Sequence, residues 1–218
     1  VQGRTHVLAF IERHSPFEGI ADFFMAEMLR GLHVAAREHG YHILFEPSYP
    51  DTQSLDRMLQ LIRERHADGI VLSGLRFDDT FLAQIRLEEL PIILHGRMPE
   101  CPLPCIDIDN RAAAQAAVNH LLSLGHTRIG MITNGPLVYV AAEERRAGYL
   151  AALQSAGISL PEEMIQLGSF TPQSGYSAMQ ALLRLKPRPT AVFIASDAIA
   201  FGAIQAVRAS NVSIPHDL

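Results

Sequence analysis

No apolar run in this 218-residue chain comes near the roughly 20 residues that a membrane helix needs, although 48% of the residues are hydrophobic. No charged start followed by an apolar block marks a signal peptide, so the expected location is the cytoplasm, with no membrane partner. Clustered Lys and Arg are also missing. The net charge is −5, and the pair Arg145-Arg146 is too small a basic patch to grip nucleic acid phosphates directly. Cysteine is scarce: Cys101 and Cys105 lie in Cys-Pro-Leu-Pro-Cys. A zinc site there lacks further ligands nearby, and two thiols on a proline-stiffened loop of an intracellular chain read as unbridged.

Catalytic and cofactor signatures are absent as well. No G-x-G-x-x-G follows an apolar run, so a dinucleotide has no phosphate cradle, and there is no P-loop. Neither a G-x-S-x-G elbow nor H-E-x-x-H occurs. The ten histidines are scattered and read as surface or capping residues rather than a metal set. The expectation is a protein with no catalytic residues, no metal and no cofactor.

What is present is an alternation of short apolar runs with amphipathic stretches. Strands are predicted at His6–Ile11, Tyr41–Phe45, Gly69–Leu72, Pro91–Leu94, Cys105–Ile108, Arg128–Thr133, Met164–Leu167 and Thr190–Ala195. Helical spacing separates them: from Asp22 to Gly40 with Phe24, Met28 and Leu32 on one side, from the Asp51-Thr52 cap through Ile62, and a weaker stretch from Phe77 to Leu87. Further helices are expected over about Ala142–Ala156, from Thr171-Pro172 to before Pro187, and from Ser196 or Asp197 to about Ser210. The central stretch, Asp107 to Ile132, runs from the end of one strand through a helix and into the next strand. Asn110 is expected to cap that helix, Ala113, Ala116, Ala117, Leu121 and Leu122 to be its apolar stripe, and Gly125 to end it.

Short continuous apolar runs alternating with helices indicate α/β architecture with parallel strands covered on both faces. Ligands then sit beyond the carboxyl ends of the strands. That rule selects Glu12, Arg13 and His14; Ser73; His95 and Arg97; Asp109; Asn134; Phe170; Ser196 and Asp197. The set holds charge, amide and aromatic groups but no nucleophile paired with a base, as suits a site that binds without transforming.

The chain also resembles the lactose-repressor/galactose-repressor (LacI/GalR) family of bacterial transcription regulators. The resemblance rests on Phe23-Phe24 ahead of Leu29-Arg30-Gly31, Asp68-Gly69-Ile70-Val71-Leu72, Pro91-Ile-Ile-Leu, and Asp109-Asn110 followed by His120-Leu-Leu-Ser-Leu-Gly-His-Thr-Arg-Ile-Gly. It continues through Arg145-Arg146-Ala-Gly-Tyr149, Gly168-Ser-Phe170, Gly175-Tyr-Ser-Ala-Met179 and Arg188-Pro-Thr-Ala-Val-Phe-Ile-Ala-Ser-Asp197, in order and at matching intervals.

The resemblance implies two Rossmann-like lobes, as in type I periplasmic binding proteins, an effector between them, and a homodimer. The expected lobes are residues 1–108 and 109–218, the second C-terminally incomplete. It further implies operator DNA as a partner, through an N-terminal helix-turn-helix outside this chain, with Val1 to Thr5 looking like the remnant of its linker. The small-molecule effector implied is a sugar or sugar derivative.

By position, Arg145 would turn its fork to the effector, although it also reads as a surface arginine paired with a carboxylate. Phe170 would be the wall for a sugar ring, or an ordinary core aromatic. Ser196 would touch ligand, while Asp197 reads equally as a helix cap. Phe24 would close on the ligand from the first lobe, or lie in the core. Asp109 and Asn110 would bond ligand hydroxyls. Gly96, where many relatives have aspartate, leaves Arg97 less balanced and tilts the expectation toward an effector bearing negative charge. A secreted sugar-binding protein of a transporter shares the fold and is the alternative.

Overall fold

The computed structural model of the chain describes residues 3–13, 23–47, 60, 63–78, 82 and 91–218. The helix expected from Asp51 through Ile62 lies largely outside the described residues, as do His14 and most of the stretch expected as a helix after Phe77. The chain divides into two compact units, Val1–Asp107 and Ile108–Leu218. No helix among the described residues is long and apolar enough to cross a membrane.

The first unit is built on a five-stranded sheet. Its strands are β1 (Val7–Glu12), β2 (His42–Pro47), β3 (Gly69–Ser73), β4 (Ile92–His95) and β5 (Cys105–Ile106), in the order β2-β1-β3-β4-β5. Every pairing is parallel. The chain therefore reverses its direction of spread between β1 and β3, the position at which doubly wound sheets open a crevice. Phe10, Ile11, Leu72 and Leu94 are buried at this centre. The predicted strand Cys105–Ile108 is cut short, because Asp107 turns its carboxylate back to accept from the Arg97 amide at 2.8 Å and Ile108 is exposed.

The described helix of this unit is α1 (Phe23–Glu38), which buries Met25 and Ala36 and half-buries Met28 and Leu32. Phe24, expected on the apolar side, is 59% exposed instead. At the lower end of the sheet, Asp68 clasps the segment leading into β1. Its carboxylate accepts from the Thr5 amide at 2.9 Å, the Thr5 hydroxyl at 2.8 Å and the His6 amide at 2.9 Å.

The second unit holds β6 (Ile129–Ile132), β7 (Ile165–Gln166) and β8 (Ala191–Ile194) in the order β7-β6-β8, again all parallel. Around them are α2 (Asn110–Ser123), α3 (Val140–Ser155), α4 (Pro172–Arg184) and α5 (Asp197–Ala209). Because successive strand residues face opposite sides, Ile129 and Met131 join Val118, Tyr149 and Leu153 in one core layer. Ile132 joins Met179, Leu182, Ile199, Ala203 and Val207 in the other. Burial pushes the Tyr149 phenol upward, and its hydroxyl donates to the Ile129 carbonyl at 2.7 Å.

Two expectations for α2 need correction. Its cap is Asp109, whose carboxylate accepts from the Ala112 amide at 2.8 Å, and Asn110 is the first helical residue. Its buried line is Asn110, Ala114 and Val118 with Leu121 and Leu122 half-buried, while Ala113, Ala116 and Ala117 face outward. The reason is the neighbour: a side chain at Gly148 of α3 would run into the Arg111 carbonyl and Ala114. This close approach turns the 110/114/118 line toward α3. The helix does end at Gly125, whose φ of +89° follows the cap at Leu124.

A similar constraint joins α4 and α5. A methyl group at Gly175 would strike the Ile199 carbonyl, and one at Gly202 would strike the Pro172 carbonyl. Gly175→Ala and Gly202→Ala should each lower stability by about 1–3 kcal/mol through overpacking. In a chain of this size each kcal/mol appears as about 2–4 °C in the melting temperature; an unchanged melt for both would contradict the packing. A second expectation concerns acid. Hydrogen bonds, that of the Thr5 amide foremost, hold the Asp68 carboxyl below its usual range. A lowered folded value makes its contribution complete above the ordinary aspartate value of about 4 and lost as pH falls through the folded one. Asp68→Ala should therefore melt below the parent at neutral pH and converge on it in acid, as read from melting temperature against pH.

Candidate functional site

In both sheets the carboxyl ends of the strands gather polar and aromatic side chains, and each unit has its own set. In the first unit Glu12 ends β1 and pairs in register with Ser73 at the end of β3, so the two flank the point where strand order reverses. Glu12, Arg13 and Ser73 are buried at 1%, 8% and 2% exposure, unusual for such residues and so a mark of a built polar centre. The Ser73 hydroxyl shares a hydrogen bond of 3.0 Å with His95 Nδ1 at the end of β4. The His95 ring in turn stacks on Phe24, with centroids 5.7 Å apart and planes inclined by 26°. The first turn of α1 thus places an exposed phenyl face beside the strand ends.

Arg97 lies one glycine beyond β4, at the surface, with its amide held by Asp107. Its guanidinium makes no ion pair among the described residues.

In the second unit the Arg145 guanidinium reaches groups far away along the chain. Its Nε donates to Asn110 Oδ1 at 2.8 Å and its Nη1 to the Ala195 carbonyl at 2.7 Å. The arginine of α3 thereby ties the start of α2 to the exit of β8, joining residues 35 and 50 positions away in the chain. Asn110 is 3% exposed, and its own amide donates to the Ile108 carbonyl at 3.3 Å. Ser196 follows Ala195 and caps α5, accepting from the Ile199 amide at 3.4 Å, so Asp197 is not the cap but an exposed acid in the first turn. Asp109 spends one carboxylate oxygen on its own helix.

On the other flank of the same sheet stands Phe170, in the left-handed region at φ +62°. A bulky residue there is unusual, and the environment must hold it. Its amide donates to the Asn134 carbonyl at 2.9 Å, its ring lies where a side chain on Gly135 would be, and Tyr139 meets it edge-on with centroids 5.0 Å apart. Only a glycine at 135 leaves room for this ring, which is half-buried and so presents one part to solvent.

The structure thus brings Asn110, Arg145 and, through Ala195, Ser196 together, and places Phe170 across the sheet from them. Phe24 pairs with His95, whereas Arg97, Asp109 and Asp197 stand apart at the surface. The strand-end rule also points to Ser73, His95 and Asn134, to which the sequence assigns no role, and nothing in the sequence points to Tyr139. Among the described residues no group of three His, Cys, Asp or Glu side chains is placed to hold a metal ion. The arrangement offers donors, acceptors and aromatic faces to a small polar molecule.

The bridge makes a stability statement that can be measured. Asn110→Ala or Arg145→Lys should each cost about 1–3 kcal/mol, since each leaves a buried partner unmet. Because both remove the same bond, the double variant should lose clearly less than the two losses added. Additive losses in denaturant melts would show that the bridge is not formed.

The sequence profile for periplasmic binding proteins and the sugar binding domain of the LacI family matches residues 6–218. The HTH-type transcriptional repressor CytR of Escherichia coli (strain K12) is 38% identical over 201 residues, which are 91% of this chain and 58% of CytR. The HTH-type transcriptional regulator CelR of Thermobifida fusca is 32% identical over 221 residues, covering 100% of this chain and 64% of CelR. The solved transcriptional regulator CelR–cellobiose complex superposes with a TM-score of 0.90 at 32% identity, over 98% of this chain and 66% of that one. The chain therefore spans roughly three fifths of the length of these curated relatives. With its parallel sheets, its polar strand ends and a match running from residue 6 to residue 218, the chain belongs to the LacI family, as a periplasmic-binding-protein-like, sugar-binding type of domain.

Proposed function

We propose that this chain is the effector-binding and dimerisation part of a cytoplasmic LacI-type transcriptional regulator, whose small sugar-like effector alters binding to operator DNA. The observation that carries the reading is the arginine bridge of the second unit. Arg145 is held rigidly by Asn110 and the Ala195 carbonyl beside Ser196, with Phe170 across the same strand ends. A fixed guanidinium, a hydroxyl and an apolar wall match the alternating hydroxyl groups and flat C–H faces of a sugar. Contrary to the sequence expectation, the first unit does pair a hydroxyl with an imidazole, Ser73 with His95; what supports binding without turnover is that the relatives are transcriptional regulators.

In this reading residues 1–108 and 109–218 are the two lobes that close on the effector. Phe24 and Arg97 contribute from the first, and Asp109, Asn110, Arg145, Phe170, Ser196 and Asp197 from the second. The DNA-reading head lies outside this chain. A regulator of this kind works as a dimer, which places two heads on a two-fold operator at fixed spacing. The effector then shifts operator affinity by its difference in affinity for two arrangements of the protein, a coupling of about 1–3 kcal/mol or roughly 5–150-fold.

The test is a titration of D-glucose, D-galactose, D-ribose, maltose, cellobiose, D-glucose 6-phosphate and D-gluconate into the full-length regulator, read both as melting temperature and as operator affinity. At least one sugar should raise the melting temperature, since a ligand of the folded form stabilises it, and should move operator affinity within that range. Binding with no change in operator affinity would remove the switching role; no binding at all would remove the sugar reading.

A further inference from the structure

One buried polar group of the second unit has no use in the structure described so far. Asn134 is 9% exposed and its side-chain Oδ1 is sealed from solvent, yet it accepts no hydrogen bond. Its neighbours are already bonded among themselves. The backbone carbonyl of Asn134 takes the Phe170 amide, while the Thr133 hydroxyl donates to the Gly135 carbonyl and accepts from the Gly168 amide. The loop is therefore held by its backbone and by Thr133, and the Asn134 amide is not needed to shape it.

The position of this orphan is what gives it meaning. β6 is the central strand of the order β7-β6-β8, and the chain moves from β6 to β7 on one side before crossing to β8 on the other. Strand order thus reverses between β6 and β8, where doubly wound sheets bind their ligands. Asn134 lies two residues past the end of β6, level with Ser196 two residues past the end of β8, because Ile132 and Ile194 are partners in register. On its other side Phe170 is bonded to it directly. Position 134 therefore lies between the strand end that carries Ser196 and the segment that carries Phe170.

We propose that Asn134 is a specificity-determining residue of the effector site, whose side-chain oxygen, sealed and unmet in the unliganded protein, turns to accept a hydrogen bond from a hydroxyl of the bound sugar. This rests on the effector reading above and adds to it which group selects. A buried acceptor left unmet is destabilising, and such costs persist where function requires them. A ligand hydroxyl that meets it gains that bond. An analogue lacking the hydroxyl leaves the acceptor buried and unmatched, and discrimination by hydrogen bonding of this sort is strong.

The test uses Asn134→Leu, close in volume, and Asn134→Ala, which adds no bulk, in the full chain. In the unliganded protein at least one of the two should melt no more than about 3 °C below the parent, less than the loss of a bonded buried amide in a chain of this size. With the sugar of the panel that most raises the parent's melting temperature, both variants should bind at least tenfold more weakly by titration calorimetry. The parent should also discriminate that sugar from its monodeoxy analogues, and for one of them the variants should not. If both unliganded variants melt more than about 3 °C lower, the amide is structural and the inference is overturned. It is equally overturned if the variants bind the sugar as tightly as the parent. If no sugar binds the parent, the effector reading fails, and the specificity role falls with it; the unliganded melts then show only whether the amide supports the fold.

Discussion

Two parallel strands cannot be joined by a tight turn, and that constraint organises both units. Each strand must be followed by a crossover that returns the chain to the same starting edge. Every crossover therefore leaves a loop at the carboxyl edge of the sheet. In the first unit this edge carries the strand-end residues Glu12, Ser73 and His95 with Arg13 just beyond; in the second its loops deliver Asn134, Phe170 and Ser196. No residue type needs to be placed there by design of the backbone, since the topology brings all such loops to one edge. Selection of polar and aromatic residues at those few positions is enough to make a site.

The crossover helices do more than return the chain. Close approach of α2 to α3 at Gly148, and of α4 to α5 at Gly175 and Gly202, sets each helix in rotation as well as position. The first of these settings brings Arg145 into reach of Asn110, and the arginine then spans to the Ala195 carbonyl. A guanidinium held by two acceptors of fixed position has lost most of its rotamer freedom, whatever it is used for. In the effector reading proposed above, preorganisation of this kind lowers the entropy lost on binding. The left-handed backbone at Phe170 works in the same direction, since it orients a ring that Gly135 and Tyr139 then keep in place.

Much of this was legible in the chain before folding. The short apolar runs foretold the parallel strands, because a strand covered on both faces has no polar alternation to show. The strand-end rule selected Ser73, His95 and Asn134 with Phe170 and Ser196, because it follows from connectivity alone. Legibility failed where two local solutions are equivalent. Asp109 and Asn110 are both good caps, and only the folded chain shows that Asp109 turns to the Ala112 amide while Asn110 turns to Arg145. Alanine on both sides of α2 left its buried line undetermined by composition, and the contact with Gly148 chose it.

By itself the sequence determined the class of fold, the order of the elements, the sheet edge at which the polar and aromatic residues gather and the family, because these depend on spacing and on residues near one another in the chain. Tertiary structure alone decided that Phe24 stacks on His95 at the surface, that Ser196 and not Asp197 caps α5, and that Arg145 is bonded to groups 35 and 50 residues away. It alone decided that the Asn134 acceptor is buried without a partner. The physical reason is that a side chain's direction is set by whatever lies against it in space, and hydrogen-bond partners separated by dozens of residues leave no periodic signature along the chain.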